Sequence, residues 1–440
     1  MSLDRMAVLK WMSVLTLCGV MTAGCGNTGD QSPPAEVPDK AASEPAELVF
    51  HSNNGDSVET FDSLFGNALR KQFPQYTIKY IRSEKGQTLP ELLAQNQRID
   101  IVFASMPNFF ELSMGSNLQF DMTELAQKNA VDLGKFEPTL IDGVKLSSDG
   151  KLYGLPVTNM VQAMFYNKLI FDKFGVPYPK DGMTWEETAE TAKKLNRSDG
   201  GKQYLGFAAS PAHILRANSL SQPYLDPATD KPTFERDEWK KLIDAMFVAP
   251  AADQGYKDRV KALKRIPYRT EFTDTQELAL FVFNSQFPFT VPKEIEKVSW
   301  DVVALPTFKE KPRVGSQATP YLMGITSMAK NKDAAMNAIH YLTSKEVQES
   351  YSKDGIMPVL NDAGIKKAYG QNSAFKDKNW QAIFYNSFAP MTKISPYHLT
   401  VENIFKSVPV DVVQGTADMN SALRTAAEKA EKAIAEVKRK

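Results

Sequence analysis

The chain has 440 residues and a balanced charge, with 52 Lys and Arg residues against 52 Asp and Glu residues. A single compact core rarely grows this large, so we expect two lobes. Hydrophobic residues make up 42% and charged residues 24% of the chain, a composition typical of a globular protein. Because no basic excess is available to neutralise a phosphate backbone, we expect no nucleic-acid partner.

The first 25 residues differ in composition from the rest. Arg5 and Lys10 form a short basic start, an apolar run over 11–21 follows, and Thr22–Cys25 comes after that run. A basic start, a short apolar core and small residues before a break are typical of a secretory signal, here residues 1–24. The ending resembles the bacterial lipobox, which implies that Cys25 carries a lipid and anchors the protein to the extracytoplasmic face of the cell membrane. The alternative is a plain secretory signal that is cleaved nearby.

The chain contains two cysteines, Cys18 and Cys25. Cys18 lies in the predicted signal peptide, so a lipidated Cys25 leaves no free thiol for a disulfide, a zinc site or a nucleophile. Residues 26–46 contain four prolines and almost no large apolar side chain. Such a segment cannot bury enough surface to fold, so residues 25–46 are predicted to be the lipidated cysteine and a flexible tether.

A regular alternation of strand and helix patterns begins at Glu47. Short apolar or alternating runs predict strands, and apolar residues at helical spacing predict helices between them. The predicted elements are a strand over 48–50, a helix over 61–69, a strand over 76–81, a helix over 89–96 and a strand over 99–104. This βαβαβ order predicts an α/β fold with parallel strands joined by right-handed crossovers. Ligands of such sheets bind beyond the carboxyl ends of the strands.

Two polar loops lie at these predicted carboxyl ends. Asn53, Asn54 and Asp56 follow the first strand, whereas Ser105 and Asn108 follow the third. Their short polar side chains are suited to directed hydrogen bonds with a small solute. For Asn53, Asn54 and Asp56 the alternative is ordinary turn and helix-cap chemistry.

The most specific motifs begin in the middle of the chain and continue beyond residue 300. Thr184 and Glu187 have the spacing of a capping box that opens a helix. The motifs occur in a fixed order: YGLPV at 153–157, MFYNKL at 164–169, FGVP at 174–177, TWEE at 184–187, WDVVALPTF at 300–308 and a helix pair within 327–351. Together they resemble family 1 of the extracellular solute-binding proteins, the group that contains maltodextrin-binding protein.

The resemblance implies a two-lobed periplasmic-binding-protein fold of type II, with a hinge formed by crossing segments. The N-terminal lobe would combine 47–157 with 309–355, and the C-terminal lobe 158–308 with 356–440. The implied function is a lipid-anchored receptor that binds a small solute, above all a sugar or oligosaccharide, and delivers it to the permease subunits of an ABC importer. We expect a monomer without enzymatic activity, cofactor or metal.

The resemblance also suggests aromatic ligand contacts. Tyr224, in Gln-Pro-Tyr, resembles a family tyrosine whose ring stacks on a sugar, and Phe287 occupies the place of a stacking tryptophan. Ser105 replaces another stacking tryptophan, so the site is no close copy of a maltodextrin site. Tyr321 and Tyr397 are further candidates. For each tyrosine the alternative is a packing role.

Other functions remain open at this point. A receptor of the same fold for a polyamine, an organic acid or a metal chelate is one alternative, although Asp56 is the sole acid in the predicted loops. An extracellular glycan-acting enzyme would need two carboxylates beside the cleft. A lipoprotein adhesin that keeps the fold without a transporter is a third alternative.

His51 lies beside the predicted cleft and is a further candidate for ligand binding. No catalytic sequence motif occurs in the chain.

Overall fold

The computed structural model describes residues 44–439. The predicted signal peptide, Cys25 and the tether up to residue 43 lie outside the described residues. Within residues 44–439, every helix is too short or too polar to cross a membrane.

The strands of the described residues form two five-stranded sheets and one two-stranded sheet. They are β1 (Ala46–Ser52), β2 (Tyr76–Arg82), β3 (Ile101–Ser105), β4 (Leu155–Thr158), β5 (Gln162–Asn167), β6 (Arg197–Asp199), β7 (Lys202–Ala209), β8 (Leu278–Asn284), β9 (Trp300–Val303), β10 (Val314–Gln317), β11 (Tyr321–Ile325) and β12 (Ser387–Ala389).

The first sheet has the strand order β2-β1-β3-β11-β4. β1 pairs in parallel with β2 and β3, which confirms the predicted βαβαβ start. β11 inserts between β3 and β4 and runs antiparallel to both. Its first residue, Tyr321, pairs with Ser105 at the end of β3 and with Thr158 at the end of β4. β11 therefore joins this sheet from a point much later in the chain, and it places Tyr321 at the carboxyl edge of the sheet.

Helices cover the first sheet and bury their apolar faces in one core. These helices are Val58–Phe61, the π-helical turn Asp62–Gly66, Asn67–Gln72, Leu89–Ala94, Met106–Gly115, Thr123–Lys128, the 3₁₀ turn Leu133–Lys135, Pro138–Ser147, Lys332–Leu342, Lys345–Lys353 and Ala363–Lys367. Ser344 caps the Lys345–Lys353 helix, because its hydroxyl oxygen accepts a hydrogen bond from the Val347 N–H.

The second sheet has the order β6-β7-β8-β5-β9 and forms a second core with its own helices. β7 and β8 are parallel, and β5 is antiparallel to β8 and β9. The helices are Lys168–Phe174, Trp185–Leu195, Pro211–Arg216, Asp237–Ile243, the π-helical turn Asp244–Val248, Gln254–Leu263, Arg269–Thr273, Phe287–Thr290, Pro292–Ile295, the 3₁₀ helix Trp380–Phe384, His398–Phe405, Val408–Gln414 and Met419–Lys438.

Two separate hydrophobic cores confirm the predicted two-lobed α/β fold. The predicted capping box is present: Thr184 N–H donates to Glu187 Oε2 at 2.8 Å, and Glu187 N–H donates to Thr184 Oγ1 at 3.2 Å. Val359 and Ile365 pack in the first core, although the sequence assigned 356–440 to the second lobe.

The connection from β4 to β5 joins the two sheets directly and is centred on Asn159, which is fully buried. Its Oδ1 atom accepts hydrogen bonds from the N–H groups of Met160 at 2.8 Å and Thr319 at 3.1 Å. Its own N–H donates to the carbonyl of Met357 at 3.0 Å. One asparagine therefore fastens three distant stretches of the chain at the junction between the sheets.

Candidate functional site

The carboxyl edges of the two sheets meet at the β4–β5 connection. On the first sheet this edge carries Thr158 and Tyr321. On the second sheet Gln162 begins β5 opposite Asn284 at the end of β8, and the Gln162 Nε2 atom donates to Asn284 Oδ1 at 2.6 Å. Both edges are therefore polar and lie where α/β sheets bind their ligands.

A cavity of about 980 Å³ opens beside this junction. Elements of both cores line it, including Asp56, Phe103, Thr158 and Tyr321 on the first-sheet side, and Gln286 and Phe289 from the segment that follows β8. The first-sheet wall is extended by the helix Lys345–Lys353. A volume of this size holds a solute larger than one sugar ring, and its walls combine apolar rings with polar side chains, as ligand pockets do.

Two of the sequence-predicted residues line the cavity, Asp56 and Tyr321. Burial raises the pKa of Asp56, although the neighbouring Asn54 side chain and the positive charge of Arg82 oppose the shift. Burial also raises the pKa of Tyr321 to about 12, and the Asp56 carboxylate adds to this shift, whereas the charge of Arg216 acts against it. Since Arg216 ends the helix that follows β7, charges from both lobes act on the Tyr321 phenol.

Asn53 and Asn54 form the turn after β1, and neither lines the cavity. Asn53 is exposed, and the Asn54 N–H donates to the Ser52 hydroxyl at 3.2 Å. Ser57 caps the following helix, because its Oγ atom accepts from the Thr60 N–H at 3.2 Å. Ser52 and Ser57 thus make the turn and capping hydrogen bonds, and the Asp56 side chain lines the cavity beside the Asn54 side chain.

Ser105 and Asn108 also lie at the carboxyl edge of the first sheet without lining the cavity. Asn108 Nδ2 donates to Ser105 Oγ at 2.8 Å, and Ser105 pairs with Tyr321 in the sheet. The structure therefore brings these two predicted residues next to a residue of the cavity wall, as a hydrogen-bonded pair.

The predicted stacking rings lie in the core of the second lobe and not on the cavity wall. Tyr224 is 3% exposed, and its ring stacks on Trp239 with centroids 5.1 Å apart and planes 6° apart. Phe287 is 1% exposed and packs edge-on against Phe281 and neighbouring rings. These faces are already covered by other rings, so they offer no surface for a sugar. Tyr397 is half-buried beside the second core and is likewise absent from the cavity wall.

His51, the histidine beside the predicted cleft, lies inside the first lobe. His51 is fully buried within β1, its Nδ1 atom lies 3.0 Å from the Ile81 carbonyl oxygen, and burial lowers its pKa. His213 lies at the carboxyl edge of the second sheet, with Nδ1 at 2.6 Å from Ser210 Oγ. Burial lowers the pKa of His213 to about 4, and the positive charge of Arg216 contributes. No three His, Cys, Asp or Glu side chains in residues 44–439 are grouped to hold a metal ion.

Sequence reasoning missed several cavity residues. Gln286 and Phe289 lie on either side of Phe287 and line the cavity. The family resemblance therefore identified the correct segment, but it predicted a ligand contact for a different side chain. Phe103 belongs to β3, whose pattern predicts a strand but not which side chain meets the cavity. Glu346 and Tyr351 belong to a helix about 290 residues after β1, and no local pattern could predict that contact.

Comparisons with known proteins agree with this architecture. Residues 53–349 match the profile of the family described as bacterial extracellular solute-binding protein. The fold is similar to that of a sugar transporter from Rhizobium etli in an open conformation, with a TM-score of 0.68 and 19% identity over 88% of this chain and 99% of that chain.

Two further proteins are similar. An ABC substrate-binding protein from Listeria monocytogenes, in complex with cycloalternan, has a TM-score of 0.67 and 17% identity over 89% of this chain and 100% of that chain. The mannitol-binding protein of Pseudomonas aeruginosa is 32% identical over 114 residues, which cover 24% of this chain and 25% of the relative.

Proposed function

This chain belongs to the family of bacterial extracellular solute-binding proteins, and we propose that its solute is a sugar or short oligosaccharide bound between the two lobes. The observation that carries this proposal is the cavity of about 980 Å³ whose walls come from both cores. Aromatic rings suit the C–H faces of a sugar, while its hydroxyl groups need paired polar side chains. The mannitol and cycloalternan ligands of similar proteins support the same solute class.

Closure of the lobes would trap the solute. Asp56 and Tyr321 would contact it from the first lobe, and Gln286 and Phe289 from the second. A solute that touches both walls binds the closed state more tightly than the open state, and this difference drives closure by hinge bending. The Ser105–Asn108 pair would support the first wall next to Tyr321. The receptor would act by binding and release, without a chemical step.

The receptor would be anchored to the membrane through a lipid on Cys25 and would deliver its solute as a monomer to the permease subunits of an ABC importer. Cys25 lies outside the described residues, so this part of the proposal depends on the sequence. A Cys25→Ala variant should lose lipid labelling and leave the membrane fraction while the protein keeps its fold. Unchanged labelling and fractionation of that variant would contradict the anchor.

Calorimetric titration of the purified full-length protein against monosaccharides, sugar alcohols and oligosaccharides tests the solute class. Polyamines and organic acids serve as controls from the alternative solute classes. At least one saccharide should bind with saturation, and small-angle scattering should then show a smaller radius of gyration. Saturable binding without compaction would contradict the closure mechanism, and binding of an organic acid alone would contradict the solute class.

A further inference from the structure

The wall of the cavity carries an excess of negative charge. It contains four carboxylates but only one basic side chain, namely Asp56, Glu59, Glu346 and Asp354 against Lys71. Across residues 44–439, none of these four acids has a Lys or Arg nitrogen within ion-pair distance, whereas many acids elsewhere on the surface are paired. Like charges around one cavity repel each other, and a bound cation would relieve that repulsion.

Asp56 is the acid best placed to contact a solute. It is half-buried, whereas Glu59, Glu346 and Asp354 lie at the exposed rim. Two neighbouring donors serve backbone carbonyls: Arg82 Nε donates to the Gly55 oxygen at 3.0 Å, and the Tyr80 hydroxyl donates to the Asp56 backbone oxygen at 2.9 Å. The neutral Asn54 side chain lies beside the Asp56 carboxyl group and supplies no positive charge.

The groups around Asp56 do not fully offset the cost of burying its negative charge. Burial raises the pKa of the Asp56 carboxyl group, which means that the charged form is not fully stabilised by the protein. A cationic group on the solute would supply the missing stabilisation.

The rings around the cavity suit the same chemistry. Six aromatic side chains line it, of which Phe289, Tyr321 and Tyr341 are half-buried and keep part of their surface open, whereas Phe65, Phe103 and Tyr351 are buried. Aromatic faces attract cations and also pack against the C–H groups of a sugar ring. A solute with an ammonium group on a sugar ring would therefore match both the acids and the rings, whereas a carboxylate on the solute would be repelled.

We propose that the solute is an amino sugar or an oligosaccharide of amino sugars, and that Asp56 recognises its protonated amine. This inference rests on the proposed function, because it names the class of saccharide that the same site binds. The rim acids Glu59, Glu346 and Asp354 raise the local concentration of the cation, while Asp56 makes the direct charged hydrogen bond.

Three β-1,4-linked disaccharides that differ only at carbon 2 test the inference. The probes are the disaccharide of glucosamine, its N-acetylated counterpart and the glucose disaccharide, titrated by calorimetry into the full-length protein. The titrations are run at about pH 6, below the ordinary pKa of an amine and above the ordinary pKa of an aspartate side chain, about 3.9. The glucosamine disaccharide should bind about 10- to 100-fold more tightly than the other two, the range expected for one charged hydrogen bond.

An Asp56→Asn variant should lose this preference and bind the three disaccharides within a few fold of one another. The matched control is Asp142→Asn, which makes the same charge change on an exposed position of the Pro138–Ser147 helix in the same lobe. That variant should keep the full preference. A thermal melt of Asp56→Asn verifies that the variant is folded.

The outcomes separate this inference from the proposed function. Equal affinity for all three disaccharides overturns the amino-sugar inference and leaves the sugar receptor in place. A preference that survives in Asp56→Asn overturns the role of Asp56. Binding of a linear polyamine such as spermidine, with no binding of any saccharide, overturns the proposed sugar function itself.

Discussion

The side chain of Asn159 should contribute more to stability than any surface asparagine, because it holds together the junction between the sheets. An Asn159→Ala substitution removes the acceptor of two backbone N–H groups and leaves the backbone hydrogen bond to Met357 intact. The Thr319 N–H is in a buried bond, and a buried donor without a partner costs about 1–3 kcal/mol. The Met160 N–H is half-buried and adds about 0.5–1.5 kcal/mol.

We therefore expect Asn159→Ala to lower the free energy of unfolding by about 1.5–4.5 kcal/mol. Equilibrium unfolding in urea, followed by circular dichroism, measures the change. The comparison is Asn331→Ala, which removes a helix cap whose Oδ1 atom accepts from the Ala334 N–H at 2.9 Å and should cost about 1 kcal/mol. If Asn159→Ala costs no more than Asn331→Ala, the side chain does not fasten the junction and the reasoning is wrong.

Three further predictions use the same unfolding assay. Tyr224→Ala should lower the free energy of unfolding by about 3–5 kcal/mol without directly removing a solute contact, because the ring is stacked in the second core; a stable variant with weakened solute binding would contradict this. Gly206→Ala should cost at least about 1–3 kcal/mol, since an added Cβ would collide with the Ala192 backbone; a neutral result would contradict the close strand–helix packing. Burial lowers the pKa of His213 to about 4, so as pH drops from 6.5 towards 4 the unfolded chain takes up a proton before the folded protein does, and the free energy of unfolding falls. His213→Gln should show a weaker fall over the same pH range. An unchanged pH profile would contradict the buried neutral ring.

The sequence predicts much of the fold because local patterns determine it. Alternating and apolar runs identify β1, β2 and β3, and the spacing of Thr184 and Glu187 identifies a real capping box. The π-helical turn Asp62–Gly66 is not predictable in this way, because it changes the hydrogen-bond register within a pattern that reads as one continuous helix.

The site was only partly predictable, because it depends on which face of each loop turns towards the cavity. Asp56 follows from its position after a parallel strand, and Tyr321 follows from its position in the family resemblance. The family resemblance predicts that Tyr224 and Phe287 stack on a sugar, but neighbouring rings cover both side chains. A motif gives the location of a residue along the chain, whereas exposure depends on partners that are distant in sequence.

The late insertion of β11 has a consequence for how the protein is made. β3 and β4 are complete once residue 158 has been synthesised, yet the strand that lies between them ends at Ile325. Until then each carries an unpaired strand edge, and such edges promote association with other chains. Pairing over this sequence separation is also slow. The first lobe therefore finishes folding only after the sheet of the second lobe has been synthesised. A nascent chain that stalls before residue 321 exposes two strand edges with unpaired backbone N–H and C=O groups to its neighbours.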